Sequence, residues 1–373
     1  MPENFQMRDV FNPKAVNKMA ARIKARWPAF KDKKFCKEIN PKLPALTYSE
    51  RLKYISNILE KYLPGDFPTA ADILINSQLP KYGNDLLGDS NDRFITVTQS
   101  AYIARKGLDH FDISMNALYE MTQRFSAEWD IRAFIIKYPE KTLAVLAEWA
   151  KDPSPHVRRL VSEGSRPLLP WGKRLHQFVT DPKPTLLLLD LLKNDPSEYV
   201  RRSVANHLND HAKKHPDLVV KTLKKWKKEH PSKNMERMIK HATRTLIKDG
   251  HPGALQLLGF KKGASVIIKN IKATPKLSIG EYLYFSFDII STGKTKQKLA
   301  IDYIIYFKKS NGELAPKVFK LTVKELKKSE SLSLQKKHSF KIITTRKYYA
   351  GTHELGVQVN GEEKGKTKFN VTV

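Results

Sequence analysis

The chain has 373 residues and a formal net charge of +29, from 67 Lys and Arg against 38 Asp and Glu. Such a length supports two or three domains with buried cores, and such a charge points to a polyanion, nucleic acid ahead of an acidic membrane. The single cysteine, Cys36, excludes an intramolecular disulfide and any Cys-rich metal site, and no apolar run approaches the roughly 20 residues that cross a bilayer.

The N-terminus, MPENFQMRDV, lacks the apolar centre of a signal peptide, so a cytoplasmic location with no membrane partner is expected. Residues 1–48 read as helical and basic, with Ala20, Ile23, Ala25 and Trp27 as a rough apolar face. A clearer helix runs from Ser49 to Pro64, with Ser49 as its N-cap and Leu52, Ile55, Ile58 and Leu59 as its stripe; Pro64-Gly65 ends it. Further helices follow. In the one before Phe125, Asp112 or Ser114 caps, and Met115, Leu118 and Tyr119 face inward.

The stretch Phe125 to Trp171 organises the chain. It reads as three helices, the last breaking at a Pro-rich turn. Glu128 and Arg132 are four apart, as are Arg159 and Glu163, so each pair shares a helix face. Val157, Leu160 and Val161 form the apolar stripe of the third helix, and Arg159 and Glu163 fall off it, outward. Carboxylates, arginines and Trp171 on one surface suit a site; i,i+4 ion pairs on solvated faces are the plainer reading.

A repeat is visible from Lys141. Asp152-Pro153-Ser154 recurs as Asp195-Pro196-Ser197, and Val157-Arg158-Arg159 as Val200-Arg201-Arg202, both 43 positions on. A weaker copy spans DLVVKTLKKWKKEHPSKNMERMIKHATRTLI. A helix, an Asp-Pro turn and a second helix at this period match a HEAT repeat, whose units bury their apolar faces only by stacking. The paired arginines then form a basic row on the concave surface, extended by Lys240 and Arg244 and suited to a phosphate backbone. At least one arginine of each pair is expected to bind the Asp-Pro turn instead.

From Ala264 the apolar period becomes two, with seven strand candidates that suit a small sandwich, and Asn311-Gly312 and Asn360-Gly361 fit tight hairpin turns. The fold class expected is mainly α, a HEAT-like repeat solenoid over residues 1–260, followed by an immunoglobulin-like β-sandwich over 261–373. The sequence has no phosphate-cradling Gly-rich loop, no metal-ligand spacing and no nucleophile elbow, so neither cofactor nor metal is expected.

The segments VTQSAYIARKGLDHFDISMNALYEMTQRFSAEWDIRAFI, HVRRLVSEGSRPLLPW and HPGALQLLGF resemble the AlkC branch of the HEAT-like DNA alkylation-repair glycosylases, in the form with an added C-terminal immunoglobulin-like domain. The resemblance implies a monomeric, monofunctional glycosylase of base excision repair. It would excise 3-methyladenine and 3-methylcytosine from duplex DNA without a deep base-flipping pocket, and its added domain would help grip the DNA. By matching positions, Glu128 of SAEWDIR and Glu163 of SEGSRPLLPW stand as catalytic carboxylates, Trp171 of LPW as their aromatic partner and Arg166 of GSRP as a DNA contact. Arg132, Arg158, Arg159, Arg201, Arg202 and Lys240 complete the DNA-binding set. The family's usual SAEFAIR becomes SAEWDIR here, which keeps an aromatic at Trp129 and adds the charge of Asp130. The rival readings are a non-enzymatic HEAT scaffold for nucleic acid or protein, and an RNA-directed protein.

Overall fold

A computed structural model describes residues 5–82, 90–261, 263–343 and 346–373, without the side chains of 90 and 91. The chain divides into two compact units, Met1–Asp210 and His211–Val373.

The first unit is helical: α1 (Pro13–Arg26), α2 (Asp32–Ile39), α3 (Tyr48–Tyr62), α4 (Phe67–Asn76), α5 (Ser90–Arg93), α6 (Thr96–Lys106), α7 (Phe111–Thr122), α8 (Ile131–Lys137), α9 (Pro139–Trp149), α10 (Pro155–Gly164), α11 (His176–Thr180), α12 (Lys183–Leu192) and α13 (Glu198–His211). Neighbouring helices pack in pairs, α3 on α6, α4 on α7, α9 on α10 and α10 on α12. The inner face of α1 is Val16, Met19, Ala20 and Ile23; Ala25 is exposed, and Trp27 lies past the helix end. Asn12 and Pro13 set its start, Asn12 Oδ1 accepting from Ala15 N at 3.0 Å. The N-cap of α3 lies two residues earlier than its sequence suggests. Thr47 is the N-cap and closes a capping box with Glu50, whose Oε2 accepts from Thr47 N at 2.8 Å. Neither Asp112 nor Ser114 caps α7: His110 occupies that position, and Ser114 Oγ donates to Gly107 O.

The 43-residue repeat is a repeat of hydrogen bonds. Asp152 Oδ1 accepts from Ser154 N at 2.7 Å, and Asp195 Oδ1 accepts from Ser197 N at 2.8 Å. Arg158 Nη1 donates to the Asp152 and Pro153 carbonyls, and Arg201 Nη1 to those of Asp195 and Pro196. Arg158 also grips the Asp195 carboxylate of the next repeat, at 2.6 and 3.0 Å. The first arginine of each pair therefore ties its own turn together, and Arg158 links two repeats.

The second unit joins α14 (Pro216–Glu229), α15 (Lys233–Ala242), α16 (Arg244–Lys248) and α17 (Pro252–Leu257) to a two-sheet sandwich. Its strands are β1 (Val266–Ala273), β2 (Lys276–Ser278), β3 (Tyr282–Ser291), β4 (Gln297–Lys308), β5 (Leu314–Leu326), β6 (Ser331–Ser339), β7 (Gly351–Val359) and β8 (Glu362–Thr372). One sheet runs β1-β3-β6 and the other β2-β8-β7-β4-β5, with only β2 and β8 parallel among the described strands. The seven strands read from the sequence are present. The structure adds the short β2, whose three residues are too few to show an alternation in the sequence. The interior is Leu283, Phe285, Phe287 and Ile289 from β3 against Leu299, Ile301, Tyr303 and Ile305 from β4 and Leu355, Val357 and Val359 from β7. Asn360 (φ 48°) and Gly361 (φ 83°) form the two-residue turn between β7 and β8.

That turn also anchors the last helices. Asn360 Nδ2 donates to Lys261 O at 2.8 Å, just past α17, and Gln358 Nε2 donates to Lys248 O at 2.8 Å. Leu255 and Phe260 pack against Ala300 of β4. Helix gives way to strand between Leu257 and Val266, but the last helices share a compact unit with the sandwich. A cut at residue 260 would expose Leu255 and Phe260. Gly361 meets Gly250 directly: a Cβ there would lie 2.0 Å from Gly250 Cα. Gly361→Ala adds that clash to a φ reserved for glycine, and is expected to cost at least about 2 kcal/mol. Thermal unfolding of the variant checks this; an unchanged Tm would mean that the turn is free to move off α16.

Candidate active site

The site is built where the end of α10 meets the start of α8. Gly164, the last residue of α10, allows the approach, because a Cβ there would lie 2.5 Å from Ile131 Cγ2. The approach brings Glu163, on the last turn of α10, to the segment holding Glu128. Glu128 precedes α8 and Arg132 lies in its first turn, so the two do not share a helix face as their spacing suggests. Arg159 and Glu163 do not point outward either. Glu163 is 5 % exposed, Glu128 is 9 % exposed and Arg159 is largely covered.

Arg159 bridges the two carboxylates. Its Nη1 donates to Glu128 Oε2 at 2.6 Å, and its Nη2 lies 3.7 Å from Glu163 Oε1. The guanidinium also lies over the Tyr199 ring, 4.8 Å from its centre. Arg166 continues the chain, with Nη1 donating to Glu163 Oε1 at 2.6 Å and Nε to Asp210 Oδ2 at 2.9 Å. Glu128, Arg159, Glu163, Arg166 and Asp210 thus alternate in sign, three carboxylates to two arginines. Burial alone would raise the Glu163 pKa. Arg159 and Arg166, with the Ser203 hydroxyl donating to Oε2 at 2.5 Å, outweigh it and hold the carboxyl below its ordinary range. Both Glu163 oxygens are therefore engaged. Glu128 differs: Oε2 accepts from Ser126 Oγ and Arg159, whereas Oε1 accepts no hydrogen bond among the described residues.

Trp171 is 73 % exposed, with φ 62°, a backbone conformation uncommon for a bulky residue, and is linked to this chain of charges through its ring neighbour Tyr48, which lies within electrostatic reach of Glu128. Its turn is pinned from three sides. Trp129 Nε1 donates to Pro170 O at 3.2 Å, Arg132 donates to the Gly164, Arg166 and Lys173 carbonyls, and the Tyr48 ring lies 5.5 Å from the Trp171 ring. An indole held this way faces solvent rather than filling the core.

Tyr48 escaped the sequence reading, as did Ser126, Tyr199, Ser203 and Asp210. Ser126 sits two residues from Glu128, but for the others no short-range spacing points to the site, since their contacts span dozens of residues. The Tyr48 hydroxyl is buried without a hydrogen-bond partner among the described residues, and its pKa is pushed up to about 12 by burial and by the nearby Asp130 and Glu128. Asp130 is buried too, its Oδ2 accepting from Ser100 Oγ at 2.5 Å. Burial raises its carboxyl to about 7; Glu128 adds to the rise and Ser100 opposes it. A folded pKa above the unfolded value, about 3.9, means stability that is full below that value and lost as pH rises through 7. Asp130→Asn, permanently neutral, is expected to gain Tm over the wild type as pH rises from 6 to 8. An offset independent of pH would show Asp130 ionised throughout.

Four of the arginines expected to contact DNA are engaged within the protein. Arg132 is fully buried on three carbonyls, Arg158 and Arg201 hold the Asp-Pro turns, and Arg166 is buried between Glu163 and Asp210. Arg159 holds the carboxylates. Arg202, at the repeat position equivalent to Arg159, is exposed on α13, and Lys240 is exposed in the second unit. Among the described residues no cluster of three or more His, Cys, Asp or Glu suits a metal, and no helix is long and apolar enough to cross a membrane.

A stacked-helix domain with buried carboxylates and an exposed indole, followed by a β-sandwich, has known counterparts. Residues 122–246 match a family described as DNA alkylation repair enzyme, and residues 268–373 match the C-terminal Ig-like domain of the uncharacterised protein YhaZ. The chain is 37 % identical to the uncharacterized protein YhaZ of Bacillus subtilis (strain 168) over 367 residues, 98 % of this chain and 99 % of that one. It is likewise 37 % identical, with a TM-score of 0.89 over 98 % of this chain and 99 % of that one, to the Pseudomonas fluorescens alkylpurine DNA glycosylase AlkC, solved bound to DNA containing an abasic site analog. The chain belongs to the AlkC branch of the DNA alkylation-repair glycosylases, in the form with a C-terminal immunoglobulin-like domain.

Proposed function

We propose that the protein excises 3-methyladenine and 3-methylcytosine from duplex DNA in the cytoplasm by hydrolysing the N-glycosidic bond, as a monofunctional glycosylase of base excision repair acting as a monomer. The observation that carries this reading is the buried pair Glu128 and Glu163, bridged by Arg159, together with the exposed Trp171.

A base methylated at such a ring nitrogen is cationic and leaves without being protonated. The enzyme must then stabilise an oxocarbenium-like sugar and place a water. Glu128 is assigned the water, because its Oε1 is the oxygen of the pair that no other group engages among the described residues. Glu163, kept ionised by Arg159 and Arg166, supplies the fixed negative field under the sugar. The chain of three carboxylates and two arginines keeps that field net negative. Trp171 lies against the cationic base or the deoxyribose, a contact of about 1–2 kcal/mol. A neutral base gains little from these groups and leaves poorly, so selectivity needs no deep pocket. The division into a glycosylase domain of 1–260 and a DNA-gripping sandwich of 261–373 belongs to the same proposal, with Arg202 and Lys240 on phosphates. Competing duplexes test the selectivity: 3-methyladenine should be released and hypoxanthine, a neutral lesion, left in place. Equal release of both would remove cationic stabilisation as the source of selectivity.

A further inference from the structure

The second unit contains a cavity of about 140 Å³ where α15, α16 and the segment after α17 meet β4 and β5. Pockets for drug-sized ligands hold roughly 300–1,000 Å³, so this one admits a single ring system. Its floor is apolar: Ile247, Leu258, Phe260 and Val323. Its rim is cationic: Lys240, Lys248, Lys298, Lys320 and Arg244. Lys298 donates to Leu258 O at 2.9 Å and lies 4.9 Å from the centre of the Phe260 ring, which fixes one cation at the edge of the floor. In the wall sits Asp302, 3 % exposed, with no ion pair among the described residues. Burial raises its carboxyl to about 6, Lys320 and Lys248 opposing, so it is an ionised acceptor at neutral pH.

Against these five cations the lining sets one carboxylate, Asp302, so the cavity keeps an excess of positive charge that favours an anion. A bare phosphate would need no apolar floor and would be repelled by Asp302. A purely apolar ligand would need no lysines. A planar ring with an N–H donor and an attached phosphate satisfies all three features. We propose that this cavity binds one nucleoside monophosphate unit, its ring on the Phe260 floor, a ring amino or imino group donating to Asp302, and its phosphate on the lysine rim. The unit can come from a free mononucleotide or from an unstacked nucleotide of a DNA strand. The proposal does not depend on the glycosylase reading.

Calorimetric titration of the full-length protein tests it, with deoxyadenosine and deoxycytidine monophosphates, deoxyribose 5-phosphate and inorganic phosphate as ligands. The nucleotides should bind one site at least about tenfold more tightly than inorganic phosphate. Val323→Trp, which fills the floor, and Lys320→Glu, which reverses the rim, should each abolish nucleotide binding. Asp302→Asn should weaken nucleotide binding about tenfold and leave deoxyribose 5-phosphate unchanged. Displacement of the bound nucleotide by an oligonucleotide would assign the site to DNA, and no displacement to the free nucleotide. Inorganic phosphate binding as tightly as the nucleotides, nucleotide binding unaltered in the folded Val323→Trp and Lys320→Glu variants, or no saturable nucleotide binding would each overturn the proposal.

Discussion

Replacing Glu163 with Gln is expected to lower single-turnover base excision by about 10²–10³-fold, the usual effect of removing one preorganised electrostatic group. DNA affinity should change less than about threefold, because Glu163 is buried and its negative charge does not meet phosphates. Gln keeps the shape and can still accept from Ser203, but it removes the charge that faces Arg159 and Arg166. The field under the sugar then falls from net negative to neutral. Glu128→Gln is expected to lower excision on a similar scale by misplacing water. The two effects should combine less than multiplicatively, since both residues share Arg159. Unchanged excision in Glu163→Gln would remove Glu163 from the chemistry. A loss of excision matched by an equal loss of DNA binding would make it a structural residue.

Replacing Arg132 with Met is expected to produce the largest loss of stability. Arg132 is fully buried, and its guanidinium donates to Gly164 O at 2.8 Å, Arg166 O at 2.7 Å and Lys173 O. Methionine fills the space but leaves three carbonyls without their donor. At about 1–3 kcal/mol for each unsatisfied buried group, a loss of at least about 3 kcal/mol follows, a large share of a typical domain's stability. A Tm drop of roughly 6–12 °C corresponds to about 3 kcal/mol in a unit of this size. Excision should fall as well, because those carbonyls belong to the turn that presents Trp171. Were Arg132 a phosphate contact, the variant would keep its Tm, bind DNA more weakly and show a shallower salt dependence.

Arg132 lies four residues after Glu128. Next to Glu128 at helical spacing it looks like an exposed ion-pair partner, yet Glu128 lies before the helix and pairs with Arg159, 31 residues away. Spacing predicts contacts only within an element. The repeat was legible for the opposite reason: Asp-Pro turns and their first arginines act locally, so Arg158 and Arg201 showed themselves at a fixed offset. The same offset pairs Arg159 with Arg202, but tertiary context separates their roles, one held by two carboxylates and the other exposed. The sandwich strands were legible from alternation, β2 excepted. The residues that complete the site, Tyr48, Ser203 and Asp210, are brought in by helix packing that leaves no mark on local spacing. Trp171 could be found from the family motif, but its left-handed backbone and its Tyr48 neighbour could not.

The first measurement to make is base release. The purified protein would be incubated with duplex oligonucleotides carrying a single 3-methylcytosine, and with methylated DNA rich in 3-methyladenine, and the free base quantified. Release of the methylated base, with strand breaks only after heat or alkali, is the predicted result. No release from either substrate, with tight DNA binding retained, would contradict the account and leave a DNA-binding scaffold in which Glu128, Glu163 and Trp171 are structural.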